Sequence, residues 1–489
     1  MKRRVLYGVL FAVLAGCSAG ALASVSGLSD GLAQLERRQF ESAYTTLLPE
    51  AEKGNSRAAL EVGKLLLTGR GVAKDEAAAV KWLLVAADSG NRDAQYMLGA
   101  MSVEGIGLPK DSQVALTWLS KAAAQGDARA KTALGILMQS AGPGAQHTEQ
   151  AARWFERAAA SGEPEAQRRW ALMLASGRGV AKNEGLALKW FKKAAVAGDV
   201  EAQRNLGIML STGKGVTGGK PDFAEAARWY GLAAKKGDAK AQYGLGILYA
   251  KGQGVPVDQE KALILYRMAA TQGLATAEYA VGLAYAYGRG TAQNDVKAAD
   301  WFEKAARQGV VRAQYNLALM LEAGRGRPVD TVAASKWFLM AAKKGLREAQ
   351  YNMGYHYAEG KGVPRDQGKA VFWYEKAAAA GDVKAQYNLG MLYLNGVNGK
   401  ADDEKAAFFY RMAAGAGYGP AMYRLAVLYE EGRGVKQSYQ LAGEWYERAD
   451  LAAKVKIDEA MKKNPHPFVQ RVLQVPDDLN QSSDKLPGH

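Results

Sequence analysis

An alanine recurs at a fixed interval through most of this chain: Ala58, Ala94, Ala130, Ala166, Ala202, Ala241, Ala277, Ala313, Ala349, Ala385 and Ala421. Nine of the ten intervals are 36 residues, and the interval from Ala202 to Ala241 is 39. A constant period of this size marks a stack of small units, each burying its apolar face against its neighbours. The 489 residues therefore need not be shared among several globular domains, because a stack has no fixed core size. Chains of this kind are far more often binding scaffolds than enzymes.

One unit, from Ala349 to Lys384, shows how the local structure arises. Ala349, Met353, Gly354 and Tyr357 fall on one face of a helix. Gly360 and Gly362 end that helix by adopting backbone angles that other residues resist. Asp366 opens a second helix, where its carboxylate can accept from the free amides of the first turn. Ala370, Trp373, Tyr374, Ala377 and Ala378 form the apolar stripe of that helix, and Gly381 stops it. The cap position is held by Asp75, Asp111, Asn183, Asp222, Asp258, Asn294, Asp330, Asp366, Asp402 and Ser438, and only His147 breaks the series. A whole repeat separates each of these carboxylates from the next, so they cannot converge on one metal ion. Trp82, Trp118, Trp154, Trp190, Trp229, Trp301, Trp337, Trp373 and Trp445 share another position, which reads as core packing between helices.

Stretches such as AQYNLGMLYLNGVNG and AVFWYEKAAAAGD resemble the consensus of the Sel1-like repeat family, a relative of the tetratricopeptide repeat. The resemblance implies an all-α fold, a right-handed superhelical α/α solenoid of about eleven helix-pair repeats over residues 58–450. Residues 24–57 read as a linker and a leading half-repeat, which ends at Gly54 in register with Gly90. The last unit lacks the closing glycine, so 451–463 is expected to extend its final helix as a cap. The proline-bearing polar stretch 464–489 reads as a disordered tail. Members of the family are mostly adaptors. Some serve exopolysaccharide secretion or sensor signalling in the bacterial envelope, and a cysteine-rich branch is associated with β-lactamase activity. The paired cysteines of that branch are missing from this chain.

The N-terminus reads as an export signal. Lys2, Arg3 and Arg4 precede an apolar run from Val5 to Ala15, which is too short to span a bilayer. Two processing sites compete. Leu14-Ala15-Gly16-Cys17 resembles a lipobox, with Cys17 as the lipidated residue, whereas Ala21-Leu22-Ala23 resembles an ordinary cleavage site that makes 1–23 the signal peptide. Cys17 is the only cysteine in the chain, and a lone thiol placed there favours lipidation. Both sites imply a periplasmic protein or an outer-membrane lipoprotein. The formal charge is +15; Lys2, Arg3 and Arg4 are the only charges in 1–23, so their removal leaves +12. That balance suits a solvated basic surface, or attraction to an anionic envelope polymer or peptidoglycan. No basic block or recognisable motif points to nucleic acid.

Little in the sequence points to catalysis, a metal or a cofactor. None of His147, His356, His466 and His489 has a Cys, His or acid at metal-ligand spacing, and the G-x-G triplets do not continue as a dinucleotide fingerprint. The resemblance places positions two and three after the leading alanine in the groove of the stack. In the C-terminal half these are Tyr315, Asn316, Tyr351, Asn352, Tyr387, Asn388, Tyr423 and Arg424, with Tyr243 and Tyr279 extending the row. Tyrosine has an apolar body and a polar tip, so this ladder could hold a peptide or a sugar, or it could only pack. The N-terminal half has Tyr96, Thr132, Arg168 and Arg204 at the tyrosine position. The leading expectation is a non-enzymatic protein–protein interaction scaffold of the envelope. Polymer binding and a weak hydrolase are the other readings.

Overall fold

A computed structural model describes residues 27–142 and 144–463, the side chains of the final helix only as far as Leu451. Signal segment 1–23 with Cys17, and tail 464–489, lie outside the described residues. Among the described residues the chain is all-α, with twenty-four helices from α1 (Gly27–Glu36) to α24 (Tyr439–Lys463). From α3 (Ser56–Thr68) onward they alternate as the first and second helices of eleven repeats. Residues 1–274 and 275–489 form two compact units, each an α/α solenoid of stacked helix pairs over its described part. The segment read as a half-repeat folds as a helix pair, α1 with α2 (Phe40–Glu52). The last helix runs unbroken to Lys463.

Polar side chains set the helix ends. Asp366 accepts from the Lys369 amide at 2.9 Å, and the same bond recurs at the other caps of the second helices, including Ser438. The first helices are capped likewise by Asn55, Asn91, Asp127, Asp199, Asp238 and Asp382. His147 falls inside its helix, which starts after Gly144 without a side-chain cap. The 39-residue repeat places its extra length in a loop with a short 3-10 turn, Thr217–Gly219. In the G-x-G pair, Gly360 takes the left-handed conformation that ends the first helix (φ 72°). Gly362 meets the neighbouring repeat: a Cβ there would lie 2.0 Å from the Thr331 carbonyl oxygen. The triplet is thus a turn followed by a contact between repeats.

The repeating core contact lies one residue beyond the tryptophans. Phe155, Phe191, Phe302, Phe338, Tyr374 and Tyr410 are fully buried, whereas most of the tryptophans are only half-buried. One residue turns a side chain about 100° around a helix, which takes the tryptophan to the flank. There Lys121, Lys193 and Lys304 lie 4.1–4.2 Å over the rings of Trp118, Trp190 and Trp301. In most of these repeats the buried ring presses on a glycine of the first helix in the same repeat. A Cβ on Gly282 would lie 2.5 Å from Phe302, one on Gly354 2.5 Å from Tyr374, and one on Gly390 2.6 Å from Tyr410. In α1 and α2 the same role falls to Gly31 and Leu47, again at 2.5 Å.

In most repeats a buried glutamine amide ties the first helix to the repeat before it. Gln95 Nε2 donates to the Ala87 carbonyl at 3.0 Å, and Gln203, Gln314, Gln350 and Gln386 make the same bond eight residues back. The amide oxygen of Gln95 accepts from Gln125 at 2.8 Å, and that of Gln242 from Gln272 at 2.9 Å. In repeats with Ala380 or Ala416 at that position, the oxygens of Gln350 and Gln386 have no partner.

Two predictions follow from these contacts. Phe302→Ala empties the joint and is expected to cost about 3–5 kcal/mol, read by urea unfolding together with amide exchange in residues 275–307. Ala380 has backbone angles of −82° and 8°, close to the −80° and 8° of Gln125. Ala380→Gln should therefore reach the Gln350 oxygen and raise stability by roughly 0.5–1.5 kcal/mol. An unchanged urea midpoint would show that the oxygen needs no donor.

Candidate functional site

The tyrosine ladder sits where neighbouring repeats meet. Tyr315 is only 7% exposed, Tyr351 and Tyr387 are half-buried, and Tyr423 is 53% exposed. Three of the rings lean on the buried aromatic of their own repeat, Tyr315 on Phe338 at 5.7 Å, Tyr351 on Tyr374 at 5.8 Å and Tyr387 on Tyr410 at 5.7 Å, and Tyr423 leans on the half-buried Tyr446 at 5.2 Å. After three of these tyrosines the next residue reaches back to the preceding repeat. Asn316 Nδ2 donates to the Tyr279 hydroxyl at 3.4 Å, Asn388 Nδ2 to the Tyr374 hydroxyl at 3.0 Å, and Arg424 bonds the Tyr387 hydroxyl. Burial pushes the Tyr351 phenol up to about 12, against the opposing hydrogen bond from Asn388. Asn352 is half-buried in the same row, and Arg424 is exposed.

The N-terminal unit uses charge at the same position. Arg168 Nε lies 3.1 Å from Asp199, and Arg204 Nη1 lies 2.7 Å from Asp238. Both acids also cap the first helix of the following repeat. Arg129 joins Asp93 and Asp127 and lies 4.7 Å over the Tyr96 ring. The two versions of the row therefore perform one task, with phenol and amide in one unit and guanidinium and carboxylate in the other.

Beside the ladder in residues 275–463, the first helices present one apolar side chain per repeat: Leu283, Leu319, Tyr355, Met391 and Val427, all half-buried. They stand six residues after the leading alanine, one helical turn beyond Asn316, Asn352, Asn388 and Arg424. Reading single motifs misses this row; aligning the repeats on their alanines finds it.

A second feature missed by spacing alone surrounds His356, which is fully buried. Its Nδ1 lies 2.7 Å from Ser335 Oγ and its Nε2 3.3 Å from Glu322 Oε1. The His356 bond, followed by the charges of His356 and Lys361, holds the Glu322 carboxyl below its usual range against the opposing effect of burial. Serine, histidine and glutamate in line resemble a hydrolytic triad, but Ser335 is buried, and its Oγ also lies 2.8 Å from the Thr331 carbonyl and 2.9 Å from that of Lys361. A substrate has no route to that oxygen. The cluster is a polar joint between two repeats, at a position where other repeats carry Met320, Leu392 or Leu428. Among the described residues no group of His, Cys, Asp and Glu could hold a metal ion, and no helix is long and apolar enough to cross a membrane.

The Sel1 repeat model matches eleven consecutive stretches that tile residues 56–449, the fifth being the long one at 200–238. The chain is similar to a crystallised protective antigen of uropathogenic Escherichia coli strains that displays an SLR fold, with 32% identity over 86% of this chain and 90% of that one and a TM-score of 0.72. It is also similar to a Sel1 repeat protein from Oxalobacter formigenes, with 34% identity over 65% of this chain and 92% of that one and a TM-score of 0.51. No curated protein sequence matches the chain. Sel1 repeat proteins generally mediate protein–protein interactions, and the scaffold is typically non-catalytic. With its alanine register, capped helix pairs and eleven contiguous matches in agreement, this chain belongs to the Sel1 repeat family.

Proposed function

We propose that this protein is a non-enzymatic scaffold or adaptor of the bacterial cell envelope. It binds an extended segment of a partner protein along the first-helix faces of residues 275–463 and so organises or regulates an envelope complex, such as one for exopolysaccharide secretion or signalling. The row Leu283, Leu319, Tyr355, Met391 and Val427 carries this reading. It offers one apolar contact per repeat, beside an amide or guanidinium in all but the first, a spacing that suits an extended chain. Tyr315, Tyr351 and Tyr387 support the face from beneath, while Tyr423 and Arg424 stand open at its end. Affinity in such a groove comes from a few anchors rather than from area. The export signal in 1–23 motivates the envelope location, with Cys17 as the lipid-bearing residue.

Affinity capture from cell envelopes tests the groove. Wild type should retain a protein that a Met391→Glu/Tyr423→Ala/Arg424→Ala variant loses, while circular dichroism shows the variant folded. Equal retention by both forms would remove the groove from the proposal. If that shared material then washes off steeply as salt rises, the basic surface is holding an anionic polymer or peptidoglycan. For the anchor, wild type grown with labelled palmitate should take up label and Cys17→Ser should not. An unlabelled wild type beginning at Ser24 would assign the ordinary cleavage site.

A further inference from the structure

We infer that the outer face of three second helices, α18 (Thr331–Lys343), α20 (Gln367–Ala379) and α22 (Asp403–Gly415), is a docking surface for an anionic lipid bilayer. Phe372 and Phe408 are 49% and 53% exposed at identical positions of successive repeats, with Met340 and Met412 exposed one turn further along their helices. The same position as Phe372 is filled by Lys81, Thr117, Arg153, Lys189, Arg228 and Ile264 in the N-terminal unit. The repeat itself therefore does not require an aromatic there. Both rings are held edge-on by the residue that follows, Phe372 by Trp373 at 5.0 Å and Phe408 by Phe409 at 5.2 Å, so each is presented outward in a set orientation.

Charge selects the partner. Lys336, Lys343, Lys344, Lys376 and Arg411 are exposed on or just after these helices. The exposed acids of the three helices are Glu375 and Glu404, and Glu375 already accepts from the Tyr393 hydroxyl at 3.1 Å. A soluble anionic polysaccharide would answer the lysines and leave the phenylalanines in water. A bilayer rich in anionic lipid answers both, with rings entering at headgroup depth and ammonium groups meeting phosphates. This surface is independent of the first-helix groove, and the two can fail separately.

The test uses full-length protein carrying Cys17→Ser, so that no lipid is attached. Phe408→Cys then supplies a single thiol for an environment-sensitive fluorophore, and Lys189→Cys supplies the control at the same repeat position. With vesicles of phosphatidylglycerol and phosphatidylethanolamine, the fluorophore at 408 should shift to the blue and the one at 189 should not. Phosphatidylcholine vesicles should leave both unchanged. In co-sedimentation, Phe372→Ser/Phe408→Ser should weaken partition into the anionic vesicles roughly tenfold or more relative to the same background. Equal partition of the two proteins, or no shift at 408, would overturn the inference. So would a blue shift at 408 that needs protein concentration but no vesicles, which would make the surface a contact between two copies of the chain.

Discussion

The contact on which the helix pairs depend is that of a large side chain with a glycine. Where Phe302 faces Gly282, or Tyr374 faces Gly354, no side-chain atom separates ring from backbone, so the two helices of the repeat meet at a distance set by the ring alone. Packed interiors tolerate little change of volume, and this contact therefore fixes the angle and spacing of the pairs that carry it. The second glycine of the loop then brings the chain against the backbone of the previous repeat, and the buried glutamine fastens the two together. Cap, turn and aromatic position follow from keeping that contact in register.

Much of the architecture was legible from residue types with few physical options. Aspartate or asparagine before a helix, and glycine after it, have narrow backbone preferences, so caps and ends could be placed to the residue. Which ring fills the core was harder, because Trp373 and Tyr374 are adjacent and both are large; the glycine opposite Tyr374 decides, and it is visible only once the helices are paired. The tyrosine row was legible as a row, but its engagement was not. Asn388 lies beyond a turn from Tyr374, and Arg204 is 34 residues from Asp238, and only stacking brings them together. Glu322, Ser335 and His356 were invisible to motif spacing for the same reason. Comparison of equivalent positions among repeats would have exposed them, since each replaces residues that are mostly apolar elsewhere.

The two helix layers of residues 275–463 have different surface chemistry. The first helices offer a graded row of half-buried apolar groups beside amides, while the second helices carry exposed rings and lysines. A repeat can change one layer without disturbing the other, because the glycine–aromatic contact lies between them. Variation at a single position, such as lysine in one repeat and phenylalanine in another, thus alters what the surface meets while the core stays the same.

The polar joint at His356 bears on how such a chain can be copied. Most of the other joints described are built from similar parts, and a gene segment encoding one repeat could be duplicated or lost with the seam still closing. His356 is different, because its partners Ser335 and Glu322 belong to the repeat before it. A second copy of the repeat holding His356, inserted after the first, would face Ala358 and Val371 in place of glutamate and serine. That junction is keyed to its own predecessor, and it gives an otherwise interchangeable array a fixed order at one point.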